Sequence, residues 1–235
     1  MRSMMPWFIW KGRNSLAEGL WINKLPKIIR PAERTRQVEI PGRSGSLTLL
    51  EGDEVYDGYT KECTVIAANH PDIEKVLDWL RGEGDLIFCN EDQFVYHGRV
   101  SGAVEFQRIS NDMMQARVPF FVDPFKRARH PEKHRVTQTA ETGTIRNLGN
   151  VASRPLVHIT REGNASITIG GKEMRFTHIT GTIDVDCDAQ IVTKSGEAWT
   201  DGTVTGDFWT IPTGESEITR TNACTIDIEP RWRWI

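Results

Sequence analysis

Almost the whole chain is written in short runs that alternate apolar with polar residues or are dense in β-branched and aromatic side chains. Such runs are ECTVIA (62–67), DLIFCN (85–90), FVYHGRVSGAVEF (94–106), MMQARVPFFV (113–122), PLVHIT (155–160), SITIGG (166–171), GTIDVDCDAQIV (181–192) and CTIDIEP (224–230). A period of two places alternate side chains on opposite faces of a pleated strand. Turn residues punctuate the runs: REGN (161–164), GGK (170–172), KSGE (194–197), WTDG (199–202) and PTGE (212–215), where Gly and Asn supply the left-handed backbone that tight turns need. A chain patterned this way is mainly β.

One segment breaks the pattern. In HPDIEKVLDWLRGEG (70–84), Ile73, Val76, Leu77 and Leu80 fall on a single helical stripe. Pro71 suits a first helical position, Asp72 and Glu74 complement the positive end of the dipole, and Gly82 and Gly84 end the helix. The spacing predicts a helix over 71–81 that packs one face on a sheet.

A length of 235 residues suits one large or two small domains, and 38% hydrophobic with 26% charged residues fits a folded chain. Charge locates the boundary. Residues 1–125 carry 15 basic against 18 acidic residues, KRARHPEKHR (126–135) carries 5 against 1, and residues 136–235 carry 9 against 13. A basic hinge therefore separates an expected first domain, 1–130, from a second, 136–235, of the size of a β-sandwich. Cys63, Cys89, Cys187 and Cys224 lie far apart with no CxxC pair, which argues for reduced, buried thiols rather than a disulfide or zinc framework. The apolar start MMPWFIW is cut short by Lys11 and Arg13, too early for a signal or membrane segment. The expectation is a protein made and kept in cytoplasm-like conditions, or one that leaves without the secretory route.

Each candidate site is weaker than its structural explanation. RQVEIPGRSGSL (36–47) holds Gly42 and Gly45 but neither the lysine nor the following helix of a phosphate loop; it reads as a turn or exposed interaction loop. His130 and His134 stand four apart beside Pro131, in a segment that does not suit a helix or a metal site. Asp184, Asp186 and Asp188 alternate on one expected strand face, without the glycine and glutamate of a calcium loop, and read as a solvent-facing side. The eight tryptophans read as core or interface anchors, and the terminal RWRWI as a closing strand with Trp packed and Arg exposed. No GxSxG, HExxH or reactive cysteine context is present, so neither enzyme activity nor a cofactor is expected.

Taken in order, seven segments resemble the distal tail (Dit) proteins of siphophages and prophages of Gram-positive hosts. FIWKGRNSLAEGLWI (8–22) is similar to the family's opening, an aromatic strand, Gly-x-Asn-Ser and a second short strand. VEIPGRSGSL (38–47) resembles its PGR-(D/N/S)-G-x-L loop, a strand begins near Tyr59, and VLDWLRGEGDLIF (76–88) matches WL-x-x-G-x-L-x-F. FFVDPF (120–125) resembles the end of the first domain. NLGNVASRPLVHIT (147–160) resembles N-x-G-(N/T)-x-x-(S/A)-x-P at the start of the second, and GDFWTIPTGESEI (206–218) its late hairpin. Ser44 and Ser216 replace the commoner acidic residue and asparagine at their positions.

The resemblance implies a structural protein of the virion tail tip, assembled in the host bacterial cytoplasm. It implies a tube-like β domain with one helix that forms a hexameric ring, possibly stacked with a second, and a galectin-like β-sandwich projecting from it. The implied partners are further copies of the chain, the tail tube protein, and tail-associated lysin or receptor-binding proteins. DNA would pass through as cargo, and no membrane insertion is implied. The loop Pro41, Gly42, Arg43, Ser44, Gly45 becomes a candidate subunit contact. A competing reading is a galectin-like carbohydrate-binding module. HITREGN (158–164) holds His158, Arg161 and Asn164 in the wrong order and spacing for the usual sugar strand, which disfavours it.

Overall fold

The structure is a computed structural model that describes residues 5–42, 44–50, 52, 54–68 and 72–235. The chain divides into two units: residues 1–129 with Ile235, and His130–Trp234. Both are built from antiparallel strands, and none of the helices is long and apolar enough to cross a membrane among the described residues.

In the first unit the strands run across the sheet in the order Arg13–Asn14, Phe8–Trp10, Glu83–Phe88, Phe94–Val100, Met113–Val122, Tyr59–Ala68, Leu20–Lys24. Lys11 and Gly12, both at positive φ, turn the chain between the first two of these, as a tight hairpin requires. The inner face buries Phe8, Trp10, Leu20, Val65, Phe88, Val118 and Phe120 in one core. The run FVYHGRVSGAVEF (94–106) does not remain a strand throughout. It stops at Val100, and Gly102, at φ 87°, turns the chain away.

The helix spans Ile73–Leu80, with Asp72 as its N-cap accepting from the Lys75 amide. Pro71 lies outside the described residues. Gly82 sits past the end at φ 79°, while Gly84 belongs to the next strand. At eight residues the helix is too short to persist alone, and Trp79 supplies what holds it. The Trp79 and Trp10 indoles each donate to the other's backbone carbonyl, at 3.3 and 3.1 Å, and Trp79 stacks on Phe8 at 5.6 Å.

The second unit is organised by one long hairpin, Leu156–Ile169 with Lys172–Asp186, turned by Gly170 and Gly171. REGN (161–164) is not a turn. Gly163, at φ 101°, absorbs a bulge between Gly163 and Ala165, so the strand bends and continues. On one side of the bend the first long strand pairs with Thr225–Glu229, which pairs with Val136–Gln138. Beyond it, residues 166–169 pair with Gly214–Thr221, which pairs with Thr142–Asn147. Both halves bury their inner side chains in a single core that includes Ile159, Ile183, Ile167, Met174 and Trp209. The segment 174–180, absent from the expected strands, lies within Lys172–Asp186 because its partner strand extends it through the bend.

The NLGN motif has a physical cause. Asn147 is buried and donates to the Val151 and Ile211 carbonyls at 3.0 and 3.1 Å, while its side-chain oxygen accepts from the Gly149 amide at 2.8 Å. A Cβ on Gly149 would come within 2.2 Å of the Arg233 carbonyl. Asn147→Ala strands these groups and is expected to destabilise the second unit by about 1–3 kcal/mol, read as a lower thermal midpoint.

Candidate assembly surface

The loop singled out by its glycines forms the tip of an arm. Thr35–Glu39 and Ser46–Leu50 pair as a two-stranded sheet separate from the two large ones. The register sets Arg36 opposite Leu49 and Val38 opposite Leu47, so these four share one face. Thr35, Gln37, Glu39, Ser46, Thr48 and Leu50 take the other. All five residues of Ser46–Leu50 are exposed, Leu50 by 64% and Leu47 and Leu49 by 44% each, and Ile40 is exposed beside them. Isolated two-stranded hairpins are marginal in water, and an apolar face of this kind is what a binding surface presents.

At the tip, Gly42 and Gly45 take φ values of 81° and 85° in open space. Pro41, Gly42, Ser44 and Gly45 are exposed, Pro41 and Gly45 line a shallow open hollow with Glu39, Ile40 and Ser46, and Arg43 lies outside the described residues. Thr35–Glu39 carries only one apolar residue, which is why the sequence signals the turn but not the strands that carry it.

The two legs of the arm are clamped where they meet the first unit. Arg34 N–H donates to the Val55 carbonyl at 2.9 Å, Asp57 N–H donates to the Ala32 carbonyl at 3.0 Å, and the Arg34 guanidinium pairs with Asp57 at 2.7 Å. Before the clamp, residues 25–34 run mostly without regular structure, with Pro26 and Pro31 buried.

Beneath this segment lies a polar cluster absent from the sequence expectations. Along Tyr59–Ala68, the inward positions are Tyr59, Lys61, Cys63, Val65 and Ala67, and Lys61 is fully buried among them. Its ammonium donates to Glu91 Oε2 at 2.7 Å, the Lys27 carbonyl at 3.2 Å and the Tyr96 hydroxyl at 3.3 Å. Three partners use all three of its protons. Tyr96 in turn donates to Glu91 Oε1 at 2.7 Å, and Lys126 reaches the same oxygen at 3.2 Å. A charged residue in a strand's apolar row was the available signal.

Burial alone would raise the Glu91 carboxyl pKa, but bonds from Lys61 and Tyr96 and the Lys126 charge outweigh it and hold the pKa below its ordinary 4.5. Burial lowers the pKa of the Lys61 ammonium against the opposing pull of Glu91, and burial with Glu91 pushes the Tyr59 hydroxyl up to about 12. A carboxylate depressed in the folded state stabilises above its unfolded pKa and loses that contribution as pH falls through the folded one. The first unit is therefore expected to weaken below about pH 4.5, measured as a falling urea midpoint, and Glu91→Gln is expected to flatten that slope.

The other candidates do not assemble. Asp184 faces His158 at 2.5 Å, Asp186 pairs with Arg231 at 3.0 Å and caps the Asp188 and Ala189 amides. Asp188 leaves the strand, which ends at Asp186, and meets Arg154 at 3.4 Å. His130 contacts Glu132 at 3.1 Å. No group of three or more metal-ligating side chains gathers among the described residues. Asn164 accepts from the His178 amide and Arg161 donates to the Ala223 carbonyl, so each is held by a different backbone partner. In the terminal RWRWI, Trp232 is buried, but Arg231 and Arg233 are engaged, with Asp186 and the Ala152 carbonyl. Trp10, Trp79, Trp199, Trp209 and Trp232 are core residues. Cys63, Cys187 and Cys224 are buried, Cys89 half-buried, and all are free; burial pushes Cys63 and Cys187 up to about 12, far from a reactive thiolate.

No protein-family profile matches the chain, and no curated protein does. Among solved structures, it is similar to the Dit (gp 19.1) protein of SPP1, described as a paradigm of the hub adsorption apparatus in phages that infect Gram-positive bacteria. The superposition has a TM-score of 0.75 and covers 99% of this chain and 100% of that one, at 14% identity. The chain therefore shares the fold of that protein over its whole length.

Proposed function

We propose that the chain is a distal tail protein of a siphophage or prophage, a non-enzymatic hub that closes into a hexameric ring between the tail tube and the tail-tip lysin or receptor-binding proteins. The end-to-end likeness to a hub adsorption protein carries this reading. The arm supports it, because a projecting hairpin with exposed Leu47, Leu49 and Leu50 suits a heterologous contact repeated around a closed ring. In this reading the tip loop 41–45 meets the neighbouring subunit, with Arg43 available for a charge-assisted bond. The second unit, expected to be galectin-like, projects outward, DNA passes through the channel, and the ring resides at the virion tail tip after assembly in the host cytoplasm.

Negative-stain electron microscopy of the purified protein at micromolar concentration tests this. Sixfold rings with a channel wide enough for duplex DNA are expected. Monomers that stay monomeric when mixed with the tail tube protein overturn it. The rival reading, a carbohydrate-binding module, has less support: the outward row Thr137, Asp227, His158, Asp184 offers polar groups but no Trp, Tyr or Phe ring for a sugar to stack on.

A further inference from the structure

We propose that Lys61 and Glu91 are positioning residues for the arm, holding its root in place from inside the core of the first unit. The inference rests on the arm being the assembly surface. The core does not require a charge at position 61, since well-packed apolar residues commonly replace buried ion pairs without loss of stability. An apolar side chain there cannot hydrogen-bond the Lys27 carbonyl. That carbonyl belongs to the irregular segment 25–34, which leads from the edge strand Leu20–Lys24 to the arm.

Buried Pro26 and Pro31 flank Lys27, and each fixes its own φ. One hydrogen bond between them therefore settles much of the path by which the chain leaves the sheet. Glu91 aims the ammonium: with Oε2 on Lys61 and Oε1 shared by Tyr96 and Lys126, the carboxylate has little freedom to turn. Lys126 opens Lys126–Ala128, near the end of the first unit at Arg129. A single buried carboxylate thus gathers the root of the arm, through Lys61, and the last strand of the unit, through Lys126.

Hydrogen exchange on the whole protein, diluted below its assembly concentration, tests the inference with Lys61→Met and Tyr96→Phe. Lys61→Met removes the donor to Lys27 and leaves Glu91 paired with Lys126. Exchange in 25–34, read at the Arg34 amide that donates to the Val55 carbonyl, is expected to accelerate about tenfold or more while Met113–Val122 stays at the wild-type rate. Tyr96→Phe keeps the Lys61–Lys27 bond and is expected to leave 25–34 unchanged. Wild-type exchange of 25–34 in Lys61→Met, or an equal acceleration across the whole sheet, overturns the proposal; so does acceleration in Tyr96→Phe. If Lys61→Met does not fold, Lys61→Gln, whose amide stops short of Lys27, takes its place. Because exchange is read on dispersed protein, a loosened root in a chain that never forms rings would leave this inference standing and remove the assembly reading instead.

Discussion

Glu91→Gln is expected to destabilise the first unit by about 3–5 kcal/mol, the usual cost of leaving a buried charge without its partner. The carboxylate sits between two ammonium groups, Lys61 at 2.7 Å and Lys126 at 3.2 Å. A neutral amide keeps the shape and leaves both cations in a site from which water is largely excluded. The charge account makes the contrasting variant informative. Lys61→Met removes one of two positive charges and keeps the Glu91–Lys126 pair, so its cost is expected to be smaller, about 1–3 kcal/mol for the Lys27 carbonyl left without its donor. Urea unfolding of both variants decides the matter. If Glu91→Gln unfolds at the wild-type midpoint, or if the two variants lose equal stability, the cluster is not held by charge balance.

The second large effect concerns association. Leu47→Glu with Leu49→Glu is expected to abolish ring formation at concentrations where the wild type assembles, and to leave the thermal midpoint unchanged. Both side chains are exposed in the single chain and share the face with Val38, so folding loses little. Fully burying an exposed leucine contributes about 1.5–3 kcal/mol, and each of these two still exposes 44%. Their loss weakens each interface by a factor of roughly 10 to 10², before the cost of desolvating the new carboxylates. Sedimentation velocity across a concentration series reads this directly. Rings at the wild-type concentration would assign the contact to another surface.

Much of the fold was legible in residue order. Met113–Val122 coincides with the run MMQARVPFFV, and the stripe through Ile73, Val76 and Leu80 gave the helix its buried side. What escaped did so for identifiable reasons. Gly163 looks like turn chemistry, but a left-handed glycine serves a bulge as well as a turn, and pairing with 172–186 turned two short strands into one. Trp79 lies beside the expected stripe and is buried because Trp10 offers it a carbonyl. The arm's strands were hidden because their faces lack the apolar alternation that burial imposes, and these faces are not buried within the chain.

The candidate site divides along the same line. Gly42 and Gly45 announce a turn at 40–45, because only glycine enters the left-handed region at no steric cost. Nothing in RQVEIPGRSGSL says that the turn ends a projecting hairpin. Lys61 marks a charge in an apolar row, yet its partners are residues 27, 91 and 96. Periodicity determines which side chains share a face and where the chain can turn, since both are set by backbone geometry over a few residues. What each face meets is decided by strand pairing over tens of residues, so the arm, the bend at Gly163 and the cluster around Glu91 belong to the tertiary structure alone.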